Sequence, residues 1–166
     1  MPTNPVANII TLNQILKLMS DFSLAHPQLN DFGFGQTSDI GTSKQMDFAY
    51  MWATFENDSL FVISPNKSII PELSFTLLFV DKINNQENVN NTNGENSNNG
   101  QEILSDMFLV AQDFVTEVVA TWSQYGVSII GDISAFPLQD ETDDSCNGWG
   151  IRMTLRLKYV TCDIPI

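Results

Sequence analysis

The chain has 166 residues, 43% hydrophobic and 16% charged, with 9 Gly, 7 Pro and 2 Cys, a composition that excludes collagen, a disulfide scaffold and wholesale disorder. Its length suits one hydrophobic core, since two would leave each half below a comfortable domain size, so a single domain over 1–166 is expected. Seven Lys and Arg against twenty Asp and Glu give a formal charge of −13, which argues against a grip on nucleic-acid phosphates or an anionic membrane, because both need clustered cations.

In chain order, Ile9, Leu12, Leu16, Met19 and Phe22 recur at three- and four-residue spacing and predict an amphipathic helix over 8–24. Pro27 ends it, because the residue before a proline is pushed out of helical geometry, and His26-Pro27 reads as an exit turn. Residues 29–41 mix Asn30, Asp31, Gly33, Gly35 and Ser38 with Phe32 and Phe34, the pattern of an ordered loop anchored by its two phenylalanines. Over 45–55, Phe48, Tyr50 and Trp52 share one side of a period-2 pattern. A strand is expected there, with 60–63 as its short partner across an Asn57-Asp58 turn. A clearer strand opens at Pro71, where Leu73, Phe75, Leu77 and Phe79 alternate with Ser74, Thr76, Leu78 and Val80.

Residues 84–99 hold nine asparagines in sixteen positions and almost nothing that can be buried. Such a tract cannot offset its ordering entropy, so a flexible Asn-rich insertion is expected at 84–100. The longest helix follows over 101–125, where Leu104, Met107, Phe108, Ala111, Phe114, Val115, Val118, Val119 and Trp122 make a wide apolar stripe that Gly126 stops. A fourth strand is expected over 127–136, then an acidic loop of Asp140, Glu141, Asp143 and Asp144. In the last strand, Trp149, Ile151, Met153, Leu155, Leu157 and Tyr159 alternate with Gly150, Arg152, Thr154, Arg156 and Lys158. The order α-β-β-β-α-β-β predicts an α+β fold: a mixed or mostly antiparallel sheet of about five strands with two main helices packed on it.

The residues offer little catalytic chemistry. His26 is the single histidine and precedes a proline, which suits a turn or capping role better than a base with a positioned partner. Gly33-Phe34-Gly35 lacks the third glycine of a dinucleotide fingerprint and the Gly-Lys ending of a phosphate loop. The acidic loop does not match a twelve-residue calcium loop. Cys146 and Cys162 belong to no metal or redox spacing and read as two reduced structural thiols. No apolar run reaches the length of a spanning helix and the first residues lack a secretory signal pattern, so a cytoplasmic protein without membrane contact is expected. One asymmetry stands out. Arg152, Arg156 and Lys158 are three of the seven basic residues and fall on one face of the last strand, whereas 83–151 contains no Lys or Arg. Such a stripe suits head-to-tail association with an acidic surface, or neutralisation of the protein's own carboxylates.

Several blocks resemble a known family. The N-terminal helix ends in His26-Pro27-Gln28-Leu29-Asn30, and Phe32-Gly33-Phe34-Gly35 with Asp39-Ile40 follows. An aromatic strand lies around Tyr50-Met51-Trp52, another strand ends in Val80-Asp81, and a helix opens Glu102-Ile103-Leu104-Ser105-Asp106. The C-terminal block runs from Asn147-Gly148-Trp149 to Cys162-Asp163-Ile164-Pro165. Together they resemble the small neck and tail-completion proteins of tailed bacteriophages, tail terminators of the type found in crAss-like and related phages. The resemblance implies a non-enzymatic structural protein of the virion, present in the host cytoplasm during assembly. It implies a homo-oligomeric ring, hexamer or dodecamer, at the head-to-tail junction or tail end. Portal, neck and tail proteins would be its partners, no cofactor is implied, and DNA would pass through the lumen without specific binding. Phe32, Phe34, Arg152, Arg156 and Lys158 are the expected subunit or partner contacts. The alternative is a monomeric adaptor whose acidic loop, Asp140 to Asp144, takes calcium or a basic peptide.

Overall fold

The computed structural model describes residues 11–37, 46–65, 69–83, 100–139 and 146–158. The first helix, α1, is Leu12–Ala25. Thr11 caps it in a reciprocal box: its hydroxyl accepts the Gln14 N–H, and the Gln14 side chain accepts the Thr11 N–H at 2.7 Å. Two of the helix's first amides are thereby satisfied. The helix stops at His26, whose backbone is extended, as the following proline demands. The expected first turn at 8–10 lies outside the described residues.

Six strands follow: β1 (Asp31–Phe34), β2 (Tyr50–Phe55), β3 (Leu60–Ile63) and β4 (Ile69–Lys82) before the second helix, and β5 (Val127–Gln139) and β6 (Cys146–Leu157) after it. They make one sheet in the order β1-β2-β4-β6-β5, with β3 also paired to β4. β1 and β2 are parallel and every other pair is antiparallel. The α+β class and its mixed sheet are thus as the sequence predicts, with one strand more than expected.

Two expectations are corrected. Part of the segment expected as a loop is a strand, because Asp31–Phe34 pairs with β2 in parallel register and Gly33 lies opposite Trp52. The indole ring lies against Gly33 so closely that a Cβ there would run into it, so the glycine admits the ring and does not break the strand. The second correction concerns β3, which pairs with β4 and not with β2. β2 faces residues 75–80 of β4 and β3 faces residues 69–72, while β6 occupies the other edge of β4. β2 and β3 therefore lie end to end along one edge, and Asn57-Asp58 makes a step between them, not a hairpin. Ser74 bridges the step: its carbonyl accepts the Glu56 N–H at 3.0 Å and its N–H donates to Ser59 Oγ at 3.0 Å.

The long helix, α2, is Gly100–Thr121, continued by a 3-10 turn Trp122–Tyr125 and stopped by Gly126 at φ 79°. Asn147 donates to the Gly100 carbonyl at 3.1 Å and Trp149 Nε1 to the Leu104 carbonyl at 2.7 Å, so β6 holds the start of the helix. Both helices cover one face of the sheet. Ile15 and Met19 of α1 and Met107, Val110, Phe114 and Val118 of α2 are buried against Met51, Phe75, Leu77, Phe79, Ile151, Met153 and Leu155. Phe114 is the centre of this core, with aromatic contacts to Phe22, Phe79 and Trp122. Fully buried large side chains of this kind each contribute roughly 1.5–3 kcal/mol.

The opposite face is divided. Met46, Tyr50, Trp52, Leu78 and Val80 form a second, smaller cluster with Phe136 and Leu138 packed on it. Burial pushes the Tyr50 phenol up to about 12, with Cys146 adding to the shift. Elsewhere that face carries Ser74, Thr76, Thr154 and the Glu72–Arg156 pair, with Leu60 opposite Glu72. No helix among the described residues is long and apolar enough to cross a membrane. The acidic loop, the Asn-rich tract, Tyr159 and Cys162 lie outside the described residues.

Candidate assembly surface

The three cations predicted as one stripe have three different surroundings. Arg156 sits opposite Glu72 in the β4–β6 register, and its Nε and Nη2 donate to the same carboxylate oxygen at 2.9 and 2.6 Å. Its charge is used within the chain. Arg152 points from the same face, with its guanidinium 5.3 Å from the centre of the Phe136 ring, within cation–π range. It borders a trough of about 320 Å³ on the polar part of the sheet, which Glu56, Asp58 and Asp132 also line. Lys158 lies just past the end of β6, exposed, with its backbone N–H donated to the Gly126 carbonyl at 2.7 Å. The structure therefore brings Arg152 toward carboxylates without an ion pair among the described residues, pairs Arg156, and leaves Lys158 at a strand end.

Phe32 and Phe34 both belong to β1. Phe32 packs on the main core, and Phe34 is exposed and meets Phe55 edge to face at 5.7 Å, with Phe55 stacked in turn on Phe75 at 4.7 Å. They fasten an edge strand to the sheet.

The sheet's outer edges differ sharply. At β1, Ser23 of α1 donates its hydroxyl to the Asp31 carbonyl at 2.8 Å, and the Asp31 carboxylate accepts the Phe32 N–H at 2.8 Å. The carbonyl and N–H of this one peptide point to opposite sides of the strand, so one of the two caps answers a group on the open edge. At β5, the register with β6 shifts between Ile130 and Ser134, where Gly131 takes φ 69°, and Pro137 lacks an N–H further along. A bulge, a charge at Asp132 and a proline are the usual means of blunting an edge. β3 has none of these. Its sequence is Leu-Phe-Val-Ile, and Leu60, Phe61 and Ile63 are 49%, 73% and 75% exposed. Across the ladder Ile63 faces Ile69, itself 51% exposed, and Phe61 faces Pro71. β3 and residues 69–71 of β4 form an exposed apolar arm, with Glu72 opposite Leu60 at its base. The sequence predicts only a short strand at 60–63, because a continuous apolar run carries no signal of which side, if any, is covered.

A second feature lies in the helix layer. Leu18, Phe22 and Ala25 of α1, with Trp122 and Tyr125 at the end of α2, line an open groove of about 370 Å³, with Asp21 and Glu117 also bordering it. His26 adjoins it in the capping role its sequence context suggests: Nδ1 lies 3.3 Å from the Gln28 N and Nε2 3.3 Å from Asp113 Oδ2. Both ring nitrogens are committed to structure. Gly33-Phe34 is strand backbone, in keeping with the absence of a phosphate-loop pattern. No cluster of three or more His, Cys, Asp or Glu suited to a metal ion occurs among the described residues. No known family model matches the chain, and no curated protein matches it in sequence.

Proposed function

We propose that this chain is a subunit of a closed homo-oligomeric ring, a bacteriophage neck or tail-terminator protein that joins portal-side and tail-side components while DNA passes through its lumen. The observation that carries assembly is the arm of β3 and β4. Three large apolar residues at least half exposed, beside a four-residue edge strand that has no charge, bulge or proline, are a surface built to be covered. The virion setting stands on the resemblance of the His26-Pro27, Phe32-Gly33-Phe34-Gly35 and Asn147-Gly148-Trp149 blocks to that family. The formal charge of −13 is compatible with it, since an acidic lumen repels the phosphate backbone and lets DNA slide.

The test is the mass of the purified full chain by light scattering, at several concentrations and two salt levels. A six- or twelve-fold species is expected. A species of 18.5 kDa at every concentration overturns the proposal.

A further inference from the structure

We infer that the chain pairs with a second copy of itself through the open edge of β3, the two strands running antiparallel about a two-fold axis at Val62, so that one sheet continues across both molecules. The inference goes beyond the ring proposed above and does not rest on it, because an isologous contact closes at two copies; a ring that contains it is built of pairs, with a second contact between them. Backbone alternation decides which groups are on offer. Ser74 directs its N–H to Ser59 and its carbonyl to Glu56, so its backbone faces the β2–β3 side of β4. Every second residue of a strand does the same, which turns Glu72 and Ile70 toward β3 and turns Pro71, which has no N–H to give, away from it. Leu60 and Val62 are therefore the residues hydrogen-bonded to β4, and Phe61 and Ile63 hold their N–H and carbonyl groups toward the open side. Among the described residues β1 lines β2 only from Tyr50 to Ala53, and no strand lies beside β3 on that side.

A second β3 answers these groups in full. With Val62 opposite Val62 of the second copy, Phe61 of each strand falls opposite Ile63 of the other, and each such pair exchanges both of its hydrogen bonds, four in all. Each pair also sets an aromatic ring beside a β-branched side chain on one face of the sheet, a favourable cross-strand combination. Ile69, opposite Ile63 across the ladder with β4, extends that apolar face in both copies. With about 200 Å² for a large apolar residue, the exposed fractions of Leu60, Phe61, Ile63 and Ile69 offer about 500 Å² per copy, and so about 1,000 Å² for the pair, the lower limit of a specific interface. Charge selects this edge over the others. In a chain of −13, contact along β1 or β5 brings in Asp31 or Asp132 from both copies, whereas β3 carries no charge, and Glu72 at the base of the arm is held by Arg156 of its own chain.

Two variants of the full chain test the pair and its register. Val62→Cys sets two thiols across the two-fold axis, at a non-hydrogen-bonded position where Cα atoms stand about 4.5 Å apart, within the span of a disulfide. Air oxidation is expected to give a linked species of twice 18.5 kDa in non-reducing electrophoresis, about tenfold or more above Phe61→Cys, Ile63→Cys and the parent with its own Cys146 and Cys162. Phe61→Pro removes an outward N–H on which no bond to β4 depends, so the fold should hold by circular dichroism. Self-association should fall by about 100-fold or more, because two of the four bonds and both phenyl rings are lost. Linkage at 61, 62 and 63 to the same extent overturns the pair. So does a ring that forms with Val62→Cys unlinked and Phe61→Pro unimpaired, which leaves the ring standing and gives the edge to another neighbour. Linked pairs that never grow into a ring uphold the pair and count against the ring. A wild-type chain of 18.5 kDa at every concentration overturns both.

Discussion

β5 and β3 are both edges of the same sheet, yet they are built on opposite terms. β5 is 13 residues long and could template another strand over most of its length, but it carries a bulge with Gly131 at positive φ, Asp132 beside it and Pro137 beyond. β3 is only four residues, and it presents Phe61 and Ile63 to solvent with no charge and no proline. The long edge is the one that would aggregate if left open, and it is blunted; the short one is left open. An edge kept open at four residues limits pairing to a small, specific contact. Adding β5's device to β3 therefore has the largest expected effect. Ile63→Lys should weaken self-association by 100-fold or more, about 3 kcal/mol, as read by sedimentation across a dilution series. The folding midpoint should move by less than about 0.5 kcal/mol, because the side chain is 75% exposed.

The converse change opens the guarded edge. Asp132→Val combined with Pro137→Val removes a charge and supplies a missing N–H while leaving the β6 ladder in place. Larger, concentration-dependent assemblies are then expected by light scattering, about tenfold enriched over the parent and resistant to salt, since apolar strand pairing is not screened. Unchanged size would show that the bulge alone guards β5.

A third edge sets the scale for local blunting. Ser23 is fully buried and its hydroxyl satisfies the Asp31 carbonyl. Ser23→Ala should cost about 1 kcal/mol in urea denaturation without altering the oligomer, because β1 keeps its Asp31 self-cap and its pairing with β2.

Sequence reading captured what periodicity encodes and missed what depends on partners. α2, its stop at Gly126 and the β4 and β6 alternations were legible, because each repeats a spacing over ten or more residues. β1 was not, because a four-residue strand containing a glycine looks like a loop until Trp52 is known to lie across Gly33. The sequence predicts β3 as a strand but with β2 as its neighbour, since Asn57-Asp58 signals a change of direction and in fact marks a step along one edge. The candidate surface was the least legible part. The cation stripe showed in the alternation of β6, but Glu72 as the partner of Arg156 lies 84 positions away, and no local pattern points to it. Exposure of the arm and the groove in the helix layer are properties of packing, not of any one segment.

The smallest expected effect separates the stripe from the arm as the holder of the oligomer. Arg156 is 45% exposed while Glu72 is buried, and Gln at 156 still offers that carboxylate a donor, so the change removes the charge and not every hydrogen bond. Arg156→Gln should therefore lower folding stability by about 0.5 kcal/mol, and 1 M salt should shrink that difference by screening. Assembly should be untouched, because the guanidinium is already spent on Glu72 within its own chain. Arg152→Glu with Lys158→Glu is the sharper comparison, since neither side chain has an ion-pair partner among the described residues. If the arm holds the ring, this double change alters association less than tenfold and the ring persists in 1 M salt. If the ring falls apart in both experiments, the cations hold it, and the open edge of β3 serves a different neighbour.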